Sequence, residues 1–225
     1  LSYNEKTDSF DNLMPDDFHE TYFKSITGFY EDEKDLWVST TNGMYAYDDQ
    51  KKKFAQHPAM SDSIMQFFIS SVERDKFGHF LCGYYLGVIL FDENGKHLEE
   101  YDELLSFGSI VSQIVKLDEQ HFLVSSFVDG VWIISIEDDG SIAKPVRHET
   151  PFRNVTSVLR DSRGEFWFGT GGQGLWKATF DGKDFVFEKV ESVNFEKEEL
   201  QKIHCVYEDN QGDIWVGTQN MGLLR

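Results

Sequence analysis

The 225 residues include 20 Phe, 9 Tyr and 5 Trp but only four Pro, and 27% are charged, so the chain can bury a core and is not composed like a disordered one. Its 21 basic and 40 acidic residues give a net charge of -19, which repels phosphate backbones, argues against nucleic acid as a partner and disfavours strongly anionic ligands. No apolar run approaches the ~18 residues of a membrane helix, and two cysteines supply neither a disulfide framework nor a C-x-x-C zinc pair.

Leu1-Ser2-Tyr3-Asn4-Glu5-Lys6-Thr7-Asp8-Ser9-Phe10 has no basic-then-apolar leader and reads as a strand, a turn and a second strand. A pattern then returns five times. Its first copy runs over residues 26–32, continues through Leu36-Trp37-Val38-Ser39-Thr40, and ends at Gly43-Met44-Tyr45. The second and third copies are degenerate, with Phe80-Leu81-Cys82-Gly83 and Phe122-Leu123-Val124-Ser125-Ser126 in place of the Trp strand. The fourth is the clearest: Val155-Thr156-Ser157-Val158-Leu159-Arg160-Asp161, a turn to Gly164, Phe166-Trp167-Phe168-Gly169-Thr170, then Gly174-Leu175-Trp176. The fifth runs over residues 203–209, then Ile214-Trp215-Val216-Gly217-Thr218 and Gly222-Leu223-Leu224-Arg225.

Anchors at Trp37, Leu81, Leu123, Trp167 and Trp215 are spaced by 44, 42, 44 and 48 residues. Within each unit, a short apolar segment ends at Asp, and Asp-x-x-Gly is turn chemistry because Asp bonds the backbone ahead while Gly accepts positive φ. The following continuous apolar run predicts a strand covered on both faces. Two more strands follow, such as residues 175–180 and 185–188. Four antiparallel strands per 42–48 residues is the period of a propeller blade, which must stack on its neighbours to bury both faces. The expected fold is all-β: one β-propeller region over residues 1–225, with five repeats. Residues 195–200 are expected as a loop insertion rather than a helix, and Cys82 and Cys205 as small core residues. The chain opens and closes mid-unit, so the ends either complete one blade together or mark five units of a longer array; the second is the expectation taken forward.

The pattern Val-x-x-Ile/Val-x-x-Asp-x-x-Gly-x-Ile/Phe-Trp-Val/Phe-Gly-Thr-x-x-x-Gly-Leu resembles the two-component-regulator propeller repeat, strongly in copies one, four and five. The resemblance implies a periplasmic sensor region of a membrane-spanning hybrid histidine kinase, of a kind common in gut Bacteroidetes that responds to glycan breakdown products. Such sensors usually have more than five blades. The repeat motif is structural and carries no ligand residues over to this sequence.

Candidate chemistry is sparse. Gly169-Thr170-Gly171-Gly172-Gln173-Gly174 matches G-x-G-x-x-G, but a strand follows it where a phosphate cradle needs a helix. The segments from Asp161 and Asp209 lack the twelve-residue ligand set of a calcium loop and read as turns. The seven histidines show no metal spacing, and no nucleophile elbow surrounds a serine. No cofactor, metal or catalytic residue is expected, and the segment is read as non-enzymatic. The residues that differ between copies lie in loops on one face: Asn42, Tyr84, Tyr85, Phe127, Asp129, Arg153, Asn154, Gln173 and Asn220. Aromatic rings beside amide and acid groups suit an oligosaccharide, the expected ligand. The other expected partners are further blades or a second protomer, with the membrane reached only through other parts of a parent chain. Two other readings stay open: a protein-interaction scaffold, and a propeller enzyme such as a glycoside hydrolase or a lyase resembling the streptogramin-inactivating propellers. For the lyase, His204 is the one histidine placed on an innermost strand.

Overall fold

The computed structural model describes residues 2–4, 6–14, 25–31, 36–41, 43–56, 68–85, 87–102, 109–191 and 202–225. Every regular element among them is a strand. β1 (Ser2–Asn4) and β2 (Ser9–Asp11) form an antiparallel ladder. Blade one comprises β3 (Ile26–Glu31), β4 (Leu36–Thr40), β5 (Gly43–Asp48) and β6 (Lys53–Gln56). Blade two comprises β7 (Ser71–Arg74), β8 (Phe80–Gly83), β9 (Val88–Phe91) and β10 (His97–Tyr101). Blade three comprises β11 (Val111–Lys116), β12 (His121–Ser126), β13 (Gly130–Ser135) and β14 (Val146–His148). Blade four comprises β15 (Val155–Arg160), β16 (Phe166–Thr170), β17 (Leu175–Phe180) and β18 (Phe185–Lys189). In the fifth unit, β19 (Ile203–Glu208), β20 (Ile214–Thr218) and β21 (Leu223–Leu224) are described.

Each sheet is a meander of sequential antiparallel strands, as short hairpin loops dictate. The second and third strands are the most covered: β8 and β9 are buried throughout, and β12 and β13 nearly so. The outer strands β10 and β18 alternate between covered and exposed residues, as expected where one face meets water. The core lies between blades. Trp37 packs with Val72 and Phe80 across the first junction, Leu81 with Ile114 and Phe122 across the second, and Leu123 with Val158 and Phe168 across the third. Leu159 and Trp167 pack with Val206 across the fourth. Leu13 and Met14 cover Val38 and Phe54 on the outer side of blade one.

The repeat's Asp organises its turn. Asp161 Oδ1 accepts the amides of Arg163 (3.0 Å) and Glu165 (2.9 Å), while Gly164 takes φ 82°, a conformation costly for any residue with a Cβ. Its Oδ2 accepts the indole N–H of Trp167 at 3.0 Å. In blades two and three, where Leu replaces the Trp, a histidine Nδ1 meets the acid instead: His79 on Asp75 at 2.9 Å and His121 on Asp118 at 2.8 Å.

One sequence expectation needs correction. Cys82 is a buried core residue, but Cys205 is exposed. Its sulfur lies over Gly217 on the face of the fifth sheet turned away from blade four, while Ile203 and Val206 take the covered face. Residues 195–200 lie outside the described residues.

Candidate functional site

The first strands β3, β7, β11, β15 and β19 stand side by side around one axis. In four of them a β-bulge sets two residues opposite one: Thr27 and Gly28 against Ser39, Ser112 and Gln113 against Ser125, Thr156 and Ser157 against Gly169, His204 and Cys205 against Gly217. A bulge re-aims side chains that strict alternation would send to opposite faces. Here two successive residues reach the axis in blades one, three and four, and His204 alone does so in the fifth unit.

These residues wall a cavity of about 270 Å³. An upper tier, nearest the loops, holds Thr27, Ser70, Ser112, Thr156 and His204; a lower tier holds Ser71, Gln113 and Ser157. Phe29, Tyr30, Trp37 and Met44 supply an apolar flank from blade one. None of the fifteen lining residues is Asp, Glu, Lys or Arg, in a chain of net charge -19. Among the described residues the axis is thus free of Asp, Glu, Lys and Arg and rich in hydroxyls, with His204 in its wall, inside an acidic molecule.

The hydroxyls are held in place. Thr156 donates to Ile203 O (2.6 Å), Ser70 to Gly83 O (3.1 Å), and Thr27 to the carbonyl of Ile69. Ser112 and Ser125 share a bond of 2.9 Å, and Ser125 in turn donates to Gln113 O (3.2 Å). In the lower tier the side-chain oxygens accept amides of the following blade: Ser71 from Ile114 (3.0 Å), Gln113 from Val158 (2.8 Å) and Ser157 from Val206 (3.2 Å).

Of the loop residues expected to bind, Asn42 lies outside the described residues. Tyr84, Tyr85 and Phe127 come together on blades two and three, because Tyr85 bridges Ile110 and the amide of Phe127 donates to Ile110 O (3.2 Å). Tyr85 is 46% exposed and lies 5.0 Å from the ring of Phe68, giving an open aromatic surface with Phe127 and Val128. The Tyr84 hydroxyl donates to Glu100 (3.3 Å); burial first, then the Glu100 charge, pushes this phenol up. Asp129 is fixed through its backbone, its amide on Ser126 Oγ (2.7 Å) and its carbonyl under Arg147 (3.1 Å). Arg153, Asn154 and Gln173 form a second group on blade four. Gln173 Oε1 accepts the Arg153 amide (2.6 Å), and Asn154, at φ 56°, accepts the Gly171 amide (2.8 Å). Asn220 is an exposed loop residue between β20 and β21, on the fifth unit. The loop candidates therefore fall into two groups and a single outlier.

Of the axial residues, sequence reasoning placed only His204 on an innermost strand and missed the hydroxyls. The signal was present: Ser70-Ser71, Ser112-Gln113, Thr156-Ser157 and His204-Cys205 interrupt otherwise apolar strands at one repeat position. Polar pairs recurring there have no use on a strand that only packs.

Blades stacked by their first strands about a shared polar axis define a β-propeller. The two component regulator propeller model matches residues 151–172 and 199–220, in the region of the fourth and fifth units. Two extracellular domains of putative hybrid two component systems from B. thetaiotaomicron share the fold. One is 21% identical, with a TM-score of 0.68 over 89% of this chain and 27% of that one; the other is 20% identical, with 0.61 over 87% and 26%. Virginiamycin B lyase from Staphylococcus aureus is also similar, at 18% identity and a TM-score of 0.55 over 86% of this chain and 61% of that one. The chain thus spans about a quarter of each of the two sensor-system domains. No curated protein matches it.

Proposed function

We propose that the chain is part of a periplasmic, signal-input propeller of a hybrid two-component sensor, and that it recognises a glycan-derived oligosaccharide. The observation that carries this reading is the hydroxyl-walled axial cavity, without Asp, Glu, Lys or Arg among its described lining residues, beneath a loop face bearing the exposed rings of Tyr85 and Phe127. Aromatic faces cover sugar C–H surfaces, and fixed hydroxyls bond sugar hydroxyls. The repeats on blades four and five and the fold shared with extracellular domains of such systems support the sensor role. The acid oxygens that suggest metal or acid–base chemistry in the repeat, those of Asp161 and Asp209, are occupied by turn amides and indoles.

The end faces support a longer array. Val72, Ile114, Val158 and Val206 share one repeat position, are 2–8% exposed, and lie against the preceding blade; Phe29 holds that position in blade one and is 71% exposed. Tyr207 is the mirror case: Leu159 at its position packs on the next blade, while Tyr207 is 62% exposed. Further blades of the same repeat fit both faces. The same exposure favours the scaffold reading if chains associate through it, which sedimentation at increasing concentration measures. Titration calorimetry with a glycan panel tests the sensing role; heats of binding are expected, and flat titrations across the panel overturn it.

A further inference from the structure

The two tiers of the axial cavity have opposite hydrogen-bonding polarity. In the upper tier, Thr27, Ser70, Ser112 and Thr156 each give their single proton to a protein oxygen. What these four present to the axis is lone pairs, while His204, the fifth residue of the tier, both donates and accepts. In the lower tier, Ser71, Gln113 and Ser157 each have the side-chain oxygen taken by a backbone N–H of the next blade. Among the described residues their protons have no protein acceptor, so this tier presents O–H and N–H donors. The tiers are successive residues, with Cα atoms about 3.8 Å apart.

A ligand in this space meets acceptors at one level and donors at the next. A hydroxyl group satisfies both, because it donates once and accepts twice. A carboxylate or sulfate only accepts, so it leaves its oxygens against the lone pairs of Thr27, Ser70, Ser112 and Thr156, with no Lys or Arg among the described lining residues to offset the charge. An ammonium only donates and wastes the lower tier. We infer that the axial cavity selects a neutral polyhydroxylated ligand and rejects its acidic counterpart. At about 270 Å³ the cavity lies just below the usual range of ligand pockets, about 300–1,000 Å³, and fits the terminal unit of an oligosaccharide rather than its length. This inference rests on the sensing role proposed above and gives that role its location and charge preference.

The test is calorimetry of the chain with neutral disaccharides and with the same disaccharides carrying a uronic acid at one end. It is repeated on Thr156→Val, Thr156→Ser and Ser112→Ala proteins whose thermal melts match the parent. Expected are binding of a neutral sugar, binding of its acidic partner weaker by roughly tenfold or more, a similar loss in Thr156→Val and Ser112→Ala, and retention in Thr156→Ser. Equal binding of acidic and neutral sugars, or neutral binding untouched by both hydroxyl-removing variants, overturns the inference and leaves the sensing role standing. No heat with any sugar, neutral or acidic, removes the sensing role and the inference together.

Discussion

The indole nitrogen of Trp215 lies 2.7 Å from Oδ2 of Asp209, and the Trp167–Asp161 pair repeats this bond one blade earlier. In blade four the Trp is therefore both an inter-blade wedge and the proton donor that fixes the Asp turn. The Trp215 indole, followed by the turn amides, holds Asp209 below the usual carboxylate range. Removing the acid strands two amides and an indole. For Asp161→Ala, whose side chain is fully covered, the expected loss is about 2–3 kcal/mol, read from urea unfolding. Trp167→Phe keeps the wedge but not the donor, and should cost about 1 kcal/mol.

Glu73 occupies the position held elsewhere by Tyr30, Val115, Leu159 and Tyr207, on the side of β7 turned toward β11. Burial pushes its pKa up to about 7, against the opposing pull of Lys116. With the folded value above the unfolded one, the unfolded chain ionises first as pH rises. Folding is thus unpenalised below about pH 4.5, loses stability through the window up to 7, and carries the full penalty above it. Glu73→Gln keeps an acceptor for the Lys116 amide and should stabilise the chain by about 1–3 kcal/mol at pH 8. The gain should vanish by pH 4, as followed by thermal melts across pH.

Gly169 is the Gly of the Trp-x-Gly-Thr run, and a Cβ there would stand 2.6 Å from Ile203 Cγ2 in the next blade. Since β15 and β16 are already in register, the added methyl has to push the fifth unit away. Gly169→Ala should lower stability by about 1–3 kcal/mol, with Gly169→Val worse, as measured by denaturant midpoint.

Cys82 is buried beside Met44, with Sγ 3.8 Å from Sδ, and burial pushes its thiol well up; Cys205 is exposed. Native alkylation should label Cys205 alone, and both cysteines only in denaturant, as intact mass resolves. Rapid double labelling of the native chain contradicts the buried position of Cys82.

The strands and their order were legible because the repeat states them five times over: an apolar segment, an Asp turn, a Trp strand and a Gly. The two blades lacking the Trp were harder to read, since the partner that replaces the indole, His79 or His121, comes from a different position and has no fixed offset from the Asp. Cys205 looked like core because its neighbours are apolar; its exposure depends on which side of β19 meets another blade, which a single strand does not encode. The loop candidates were placed on one face, but their grouping depends on links such as Gln173 to Arg153 that span twenty residues. The axial tiers were hidden by the bulge: with strict alternation, Thr156 and Ser157 would point apart, and only the register shift turns both inward.

The links from Ser71 to Ile114, Gln113 to Val158 and Ser157 to Val206 all run the same way round the axis. Blades two, three and four each hand an oxygen forward to the next unit, and the receiving amide asks only that its predecessor offer one. Gene duplication or loss of a whole unit that carries Ser or Gln at this position therefore re-forms the link at the new junction. A change of half a unit breaks it. Propellers built on this stitch can drift in blade count during evolution by whole steps, carrying the polar axis along as they lengthen or shorten.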